Sequence, residues 1–284
     1  MIYLFACLKQ RFLNINVYRK EIDSKIMIAE SRYLDSNQER YLRLLVDIST
    51  FKILQAYADG GTIFGKERLG PIYLNSLEGI YASINEGASI NQALQEVQED
   101  TLTVSLVKDV IRTLIQAETF VCQERGFATS KEYSDYWEDV YRGRCCYYSN
   151  LDRISRTWDE VASEFNREHL LFSRFGSQHL YDIGKLGYLI IGNMLDTVHE
   201  LSVIIKCNRQ GIIEEVNSDL TRVTDKICQE AKDFCKHLYG KEAFRLSKKE
   251  TANLLGSNEG CTHLIDLTYD GLETFSQWWY TKKF

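Results

Sequence analysis

The stretch from Gly187 to Val216, GYLIIGNMLDTVHELSVIIKCNRQGIIEEV, decides the fold. Leu201, Val203 and Ile205 alternate with Ser202 and Ile204, the period-two pattern of a half-buried strand. The turn Asn208-Arg209-Gln210-Gly211 follows, and Ile212 to Val216 returns. Upstream, Gly187 to Leu195 is a further candidate strand that ends as Leu195-Asp196-Thr197. Together these segments predict a three-stranded antiparallel meander.

Helical spacing takes over downstream. Ile227, Ala231, Phe234 and Leu238 share a face, and Gly240 is a natural stop. Ser247, with Glu250 at capping-box spacing, starts a short helix through Leu255. A last helix is expected from about Thr262 to Tyr280.

The first half repeats this order. Lys25 to Leu34 ends as Leu34-Asp35-Ser36, and Leu42, Leu44 and Val46 then alternate with Arg43 and Leu45. After a short turn comes Phe51 to Ala58. Helices are expected from Leu77 to Glu86 with a stop at Gly87, through Ala93, and along Val107, Val110, Ile111, Leu114, Ala117 and Val121. Leu42 pairs with Leu201, Ile53 with Ile212, Ala93 with Ala252 and Leu106 with Leu264, an offset of roughly 160 residues. The expected fold class is therefore α+β: two repeats of a three-stranded antiparallel meander followed by about three helices, joined by a helical connector. The expected boundaries are residues 24–126 for a first, degenerate repeat, 127–176 for the connector and 177–284 for the second repeat.

Composition narrows the function. Of 284 residues, 26% are charged, and the net charge is −6. An acidic balance argues against a nucleic-acid or anionic-membrane surface. No apolar run approaches the roughly 18 residues of a membrane span. Eight cysteines in a chain of this length are too sparse for a disulfide scaffold, and the apolar start Met1 to Leu8 lacks the flanks of a signal peptide. A cytoplasmic protein with reduced thiols is expected. Its first twenty or so residues are read as a loosely attached extension, with Met27 as an alternative start.

The connector is rich in aromatic residues and arginine. Tyr133, Trp137 and Tyr141 fall on one helix face, beside Arg142, Arg144, Arg153 and Arg156. Packing between the repeats, with the arginines paired to acids, is the simpler reading. A docking face for another protein is the functional one.

G-x-G-x-x-G, G-x-x-x-x-G-K-[ST], H-E-x-x-H and G-x-S-x-G are all absent. Glu118 and Glu124, near the end of the long helix, read as paired acids or, more simply, as a solvated helix end. The chemistry-bearing residues lie in the second repeat. Gly260-Cys261-Thr262-His263-Leu264 opens the last helix, and Cys228 lies in the first turns of an earlier one. A helix N-terminus stabilises thiolate, the metal-binding form. His199 shares the strand parity of Leu201 and Val203, and Asp196 ends the strand before it. Helices folded over the meander would bring Cys228, Cys261, His263 and His199 together, with Asp196 nearby, as ligands for zinc or iron.

The meander with Gly211-Ile212-Ile213-Glu214-Glu215, the junction His237-Leu238-Tyr239-Gly240-Lys241 and, in the first half, Ile84-Asn85-Glu86-Gly87-Ala88-Ser89 resemble the iron–sulfur cluster scaffold family (the IscU/NifU N-terminal fold). The Gly-Cys-Thr-His-Leu string, with His199-Glu200 upstream, also resembles a bacterial family of unknown function. The scaffold resemblance implies ligands after the first strand, at the start of the first long helix and at the start of the last. Cys228 falls near the second of these places, and Cys261 with His263 near the last. The first place, around Leu195-Asp196, has no thiol, and the first repeat has Thr103 and Ser105 where the second has Cys261 and His263. The resemblance thus implies one competent site, in the C-terminal repeat, holding a mononuclear metal or a labile iron–sulfur cluster. The alternatives are a cysteine-dependent enzyme with Cys261 or Cys228 as nucleophile, and a degenerate scaffold acting as an interaction module.

Overall fold

The computed structural model describes residues 5–62, 68–165 and 167–282. Met1 to Leu4 of the apolar start therefore lie outside the described residues. The chain is mixed α+β, with nine strands in antiparallel sheet and short helices among the described residues. In chain order these are β1 (Ala6–Arg19), β2 (Ile26–Asp35), β3 (Gln38–Asp47), β4 (Ile53–Thr62), β5 (Arg68–Tyr73), α1 (Gly87–Ala93), α2 (Thr101–Ala117), α3 (Ser130–Tyr141), α4 (Cys146–Ser149), α5 (Trp158–Ala162), β6 (Leu170–Asp182), β7 (Tyr188–Asp196), β8 (Glu200–Cys207), β9 (Ile213–Arg222), a 3₁₀ run (Lys226–Leu238), α6 (Lys248–Leu254) and α7 (Thr262–Thr281). The chain divides into two compact units. One comprises Leu13–Ser134 and Asp159–Phe175; the other comprises Met1–Phe12, Asp135–Trp158 and Gly176–Phe284.

In the first unit β2, β3, β4 and β5 pair in sequence, with Leu34 opposite Glu39 at the β2–β3 turn. Leu42, Leu44 and Val46 are fully buried, so the alternation read from β3 is the core face. α2 packs on β2 and β3 and buries Leu106, Val107, Val110 and Leu114. Each such side chain contributes about 1.5–3 kcal/mol by leaving water. Asp100 caps α2 by accepting from the Thr103 amide at 3.1 Å.

In the second unit β7, β8 and β9 pair in sequence, with Leu195 opposite Glu200. Tyr188, Ile190, Gly192, Met194 and Asp196 alternate inward along β7, and Leu201, Val203, Ile205 and Cys207 along β8. α7 packs on β7 and β8, and the 3₁₀ run packs on β9. Ser247 and Glu250 form the expected capping box of α6.

Two expectations are corrected. Residues Ala6–Arg19 are not a loose extension but strand β1, with Ile15 and Val17 fully buried. The period is hidden because the next inward positions are Lys9 and Arg11, each 8% exposed. Both find polar partners inside the unit: Lys9 Nζ donates to the Gln277 side-chain oxygen at 2.6 Å, and Arg11 pairs with Glu273 at 3.1 Å. The helix expected over Leu77 to Glu86 is also absent. Gly79 has φ +83°, its amide donates to Ile53 O at 2.8 Å, and Ala82 N donates to Phe51 O at 2.8 Å. That stretch runs as turns, with Tyr81 bridging Lys52 just before β4 and a single 3₁₀ turn at Ile84–Glu86, and Gly87 opens a helix instead of closing one. The segment after Asp225 is helical as expected but wound as 3₁₀ along its whole length.

Candidate metal site

The β7–β8 hairpin turn is built by one carboxylate. Asp196 carries the inward parity of β7 into the turn, and its side chain has no solvent exposure. Its Oδ1 accepts from the amides of Val198 at 2.8 Å and His199 at 2.6 Å, an Asx turn closed within three residues of the strand's end. The Asp196 amide in turn donates to His199 O at 2.8 Å. Arg222, opposite Glu200 after an irregularity in the β8–β9 register, donates through Nη2 to the carbonyls of both Asp196 and His199. The turn is thus clamped from inside by a carboxylate and from outside by a guanidinium.

His199 is 7% exposed. Its Nδ1 lies 3.1 Å from Asp196 Oδ1 and 3.3 Å from Oδ2. Its Nε2 lies 3.4 Å from the hydroxyl of Thr224, itself buried at 5% exposure. His263 is the second residue of α7, whose N-cap is Cys261. Its ring lies 4.2 Å, centroid to centroid, from that of His199, with 34° between the planes. Among the described residues, one ligand atom each from Asp196, His199 and His263 falls within 4.8 Å of the other two. Asp196 and His199 are buried and His263 is half-buried, so the group opens on the His263 side.

The thiols do not join this group. Cys228 and Cys261 are buried in the hydrophobic core of the unit, at 8% and 9% exposure. The thiolate expectation is corrected. Burial pushes the Cys261 thiol up to about 12, against the opposing effect of the Leu264 and His263 amides, and pushes Cys228 well above its usual range. At both thiols desolvation by burial outweighs the favourable backbone amides of the helix start. Cys146 lies with them: its amide donates to Gly260 O at 2.8 Å and its thiol to Ile227 O at 3.1 Å. Cys145, Cys146, Cys228 and Cys261 lie near enough to act on one another electrostatically.

In the connector, Trp137 and Tyr147 are buried. Arg142 pairs with Asp139 at 3.2 Å and Arg153 with Glu230 at 2.6 Å. These guanidinium charges are matched within the chain. Asp225 fastens the connector to the 3₁₀ run, accepting from Ser155 N at 2.8 Å, Arg156 N at 3.1 Å and Ile227 N at 2.9 Å.

Sequence reading missed Arg222 and Thr224. The available signal was their place at the end of β9, opposite the first residues of β8. The register irregularity that brings them to the turn leaves no mark in the sequence.

The family model described as a protein of unknown function (DUF2889) matches residues 188–277. The match runs from β7 into α7 and contains Asp196, His199, Cys228, Cys261 and His263. Comparison with curated proteins gave no match, nor did comparison with solved structures. No helix among the described residues is long and apolar enough to cross a membrane.

Proposed function

We propose that the second unit is a metal-binding module in which Asp196, His199 and His263 hold one divalent ion of the zinc or iron class. The observation that carries this reading is the convergence of one carboxylate and two imidazoles within 4.8 Å, from two chain segments more than sixty residues apart. Two nitrogens and one oxygen suit zinc, and equally an iron(II) site with open positions. The donor set favours a single ion over an iron–sulfur cluster. Clusters are held by several thiolates, and Cys228 and Cys261 lie outside the group formed by Asp196, His199 and His263.

The scaffold-like character is part of the same proposal, as is an internal duplication. Its support is a set of matched hydrogen bonds. Ile53 N donates to Ile80 O and Gly79 N to Ile53 O, as Ile213 N donates to Lys241 O and Gly240 N to Ile213 O. Gly79 and Gly240 share positive φ, at +83° and +76°. Only the second copy is competent, since Gln38 stands at the place of His199 and no histidine begins α2. Eight free cysteines fit a reducing compartment such as the cytoplasm.

Metal analysis of protein purified without chelators tests the ligand set. Near-stoichiometric zinc or iron is expected in the wild type and in Cys228→Ser and Cys261→Ser, and its loss in His263→Ala. Metal lost with the thiols but kept without His263 contradicts the assignment.

A further inference from the structure

His199 has a different partner on each ring nitrogen, and the two partners differ in kind. A carboxylate can only accept a hydrogen bond, whereas a hydroxyl can donate or accept. Without an ion, Nδ1 at 3.1 Å from Asp196 Oδ1 carries the hydrogen, and the Thr224 hydroxyl donates to Nε2 across 3.4 Å. An ion shared by Asp196 and His199 needs the Nδ1 lone pair, because Asp196 lies on that side of the ring. The hydrogen must then sit on Nε2, where the Thr224 oxygen receives it.

We propose that Thr224 is a positioning residue for the metal site, and that its hydroxyl reverses direction as His199 exchanges one neutral tautomer for the other on binding. The proposal rests on the metal-binding reading above. The exchange is balanced: the Nδ1–H bond is lost, an Nε2–H bond forms through exchange with water, and the ring stays neutral. Thr224 is 5% exposed, so its hydroxyl is poorly placed to use solvent in either state. Three nearby polar groups are engaged elsewhere or face away from Nε2. Arg222 is committed to backbone carbonyls, Asp225 to the amides of the connector and of Ile227, and exposed Glu200 has the opposite strand parity. Outer-shell partners of this kind fix tautomer and ring orientation, and their loss costs about 10–100-fold in metal affinity.

The test is a long-range ¹H–¹⁵N correlation spectrum of the full chain without and with Zn²⁺, with His199 assigned by a His199→Asn variant, combined with Zn²⁺ titrations of Thr224→Val and Thr224→Ser. The expected result has three parts. His199 moves from Nδ1–H to Nε2–H on zinc addition; Thr224→Val binds zinc about tenfold or more weakly; and Thr224→Ser, which keeps the hydroxyl, binds nearly as the wild type. A zinc-loaded His199 still protonated on Nδ1 overturns the proposal while leaving zinc binding intact, as does equal affinity in Thr224→Val. Zinc that shifts no histidine overturns the metal reading itself.

Discussion

The β2–β3 turn and the β7–β8 turn close with the same hydrogen bonds. Asp35 Oδ1 accepts from the amides of Asn37 at 2.7 Å and Gln38 at 3.0 Å, as Asp196 Oδ1 accepts from those of Val198 at 2.8 Å and His199 at 2.6 Å. Around that shared frame the chemistry diverges. Asp35 Oδ2 receives the hydroxyl of Tyr33 at 2.8 Å, where Asp196 faces an imidazole. The N-cap of the long helix over the sheet is Asp100 in the first unit and Cys261 in the second. Two residues after the turn the first unit places buried Arg40, 3.3 Å from Asp100, and the second places Leu201. The first unit therefore settles its buried charge with an internal ion pair. The second keeps a carboxylate beside two imidazoles, the set that we propose holds an ion. One turn geometry serves structure in one place and the proposed site in the other, and the surrounding side chains decide which.

The strongest way to break this comparison is to remove the ion pair. Asp100→Ala strands Arg40, 4% exposed, in the interior and uncaps α2, so a loss of about 3–5 kcal/mol is expected in urea denaturation. Metal content should not change.

Asp225→Asn probes the charged cap of the second unit. Burial raises its carboxyl, but the amides of Ile227, Ser155 and Arg156 and the Ser155 hydroxyl together outweigh burial and hold it below the usual carboxylate range. The folded value being depressed, its stabilisation is present above the unfolded value of about 3.9 and disappears as pH falls through the folded one. The variant should lose about 1.5–3 kcal/mol at pH 7, with wild type and variant converging below about pH 4. A difference independent of pH contradicts the assignment.

Asp35→Asn and Asp196→Asn sharpen the comparison directly. Both alter the oxygen that takes two turn amides, so each should cost about 1 kcal/mol in thermal denaturation. Only Asp196→Asn should also weaken zinc binding. Equal zinc affinity in the two variants would separate Asp196 from the site. The smallest effect is expected for Gln38→His. It puts an imidazole at the turn position of His199, but no histidine begins α2 to complete the set. Zinc titration should find no second site.

Much of this was legible in the sequence, for identifiable reasons. The meanders could be read because Leu42, Leu44 and Val46, and Leu201, Val203 and Ile205, keep strict alternation on one buried face. β1 could not, since Lys9 and Arg11 occupy inward positions and only paired partners distant in sequence make them tolerable. The same limit hid β6, whose inward face includes buried Gln178. At the site, strand parity suggested which way His199 faces. The pairing of Asp196 with His199 follows from a tight turn, a local feature. What the sequence could not weigh was burial against helix dipole at the thiols, a balance set by how tightly the core closes over Cys228 and Cys261. Arg222 and Thr224 were illegible because a register irregularity, not a motif, brings them to the turn.

The central claim is that Asp196, His199 and His263 form one ion seat. Calorimetric titration of the chelator-treated full chain with Zn²⁺, beside the His199→Ala/His263→Ala double variant, tests it most directly. One zinc per chain in the wild type and none in a folded double variant is the predicted result. An uptake identical in the two proteins, or none in the wild type, contradicts it.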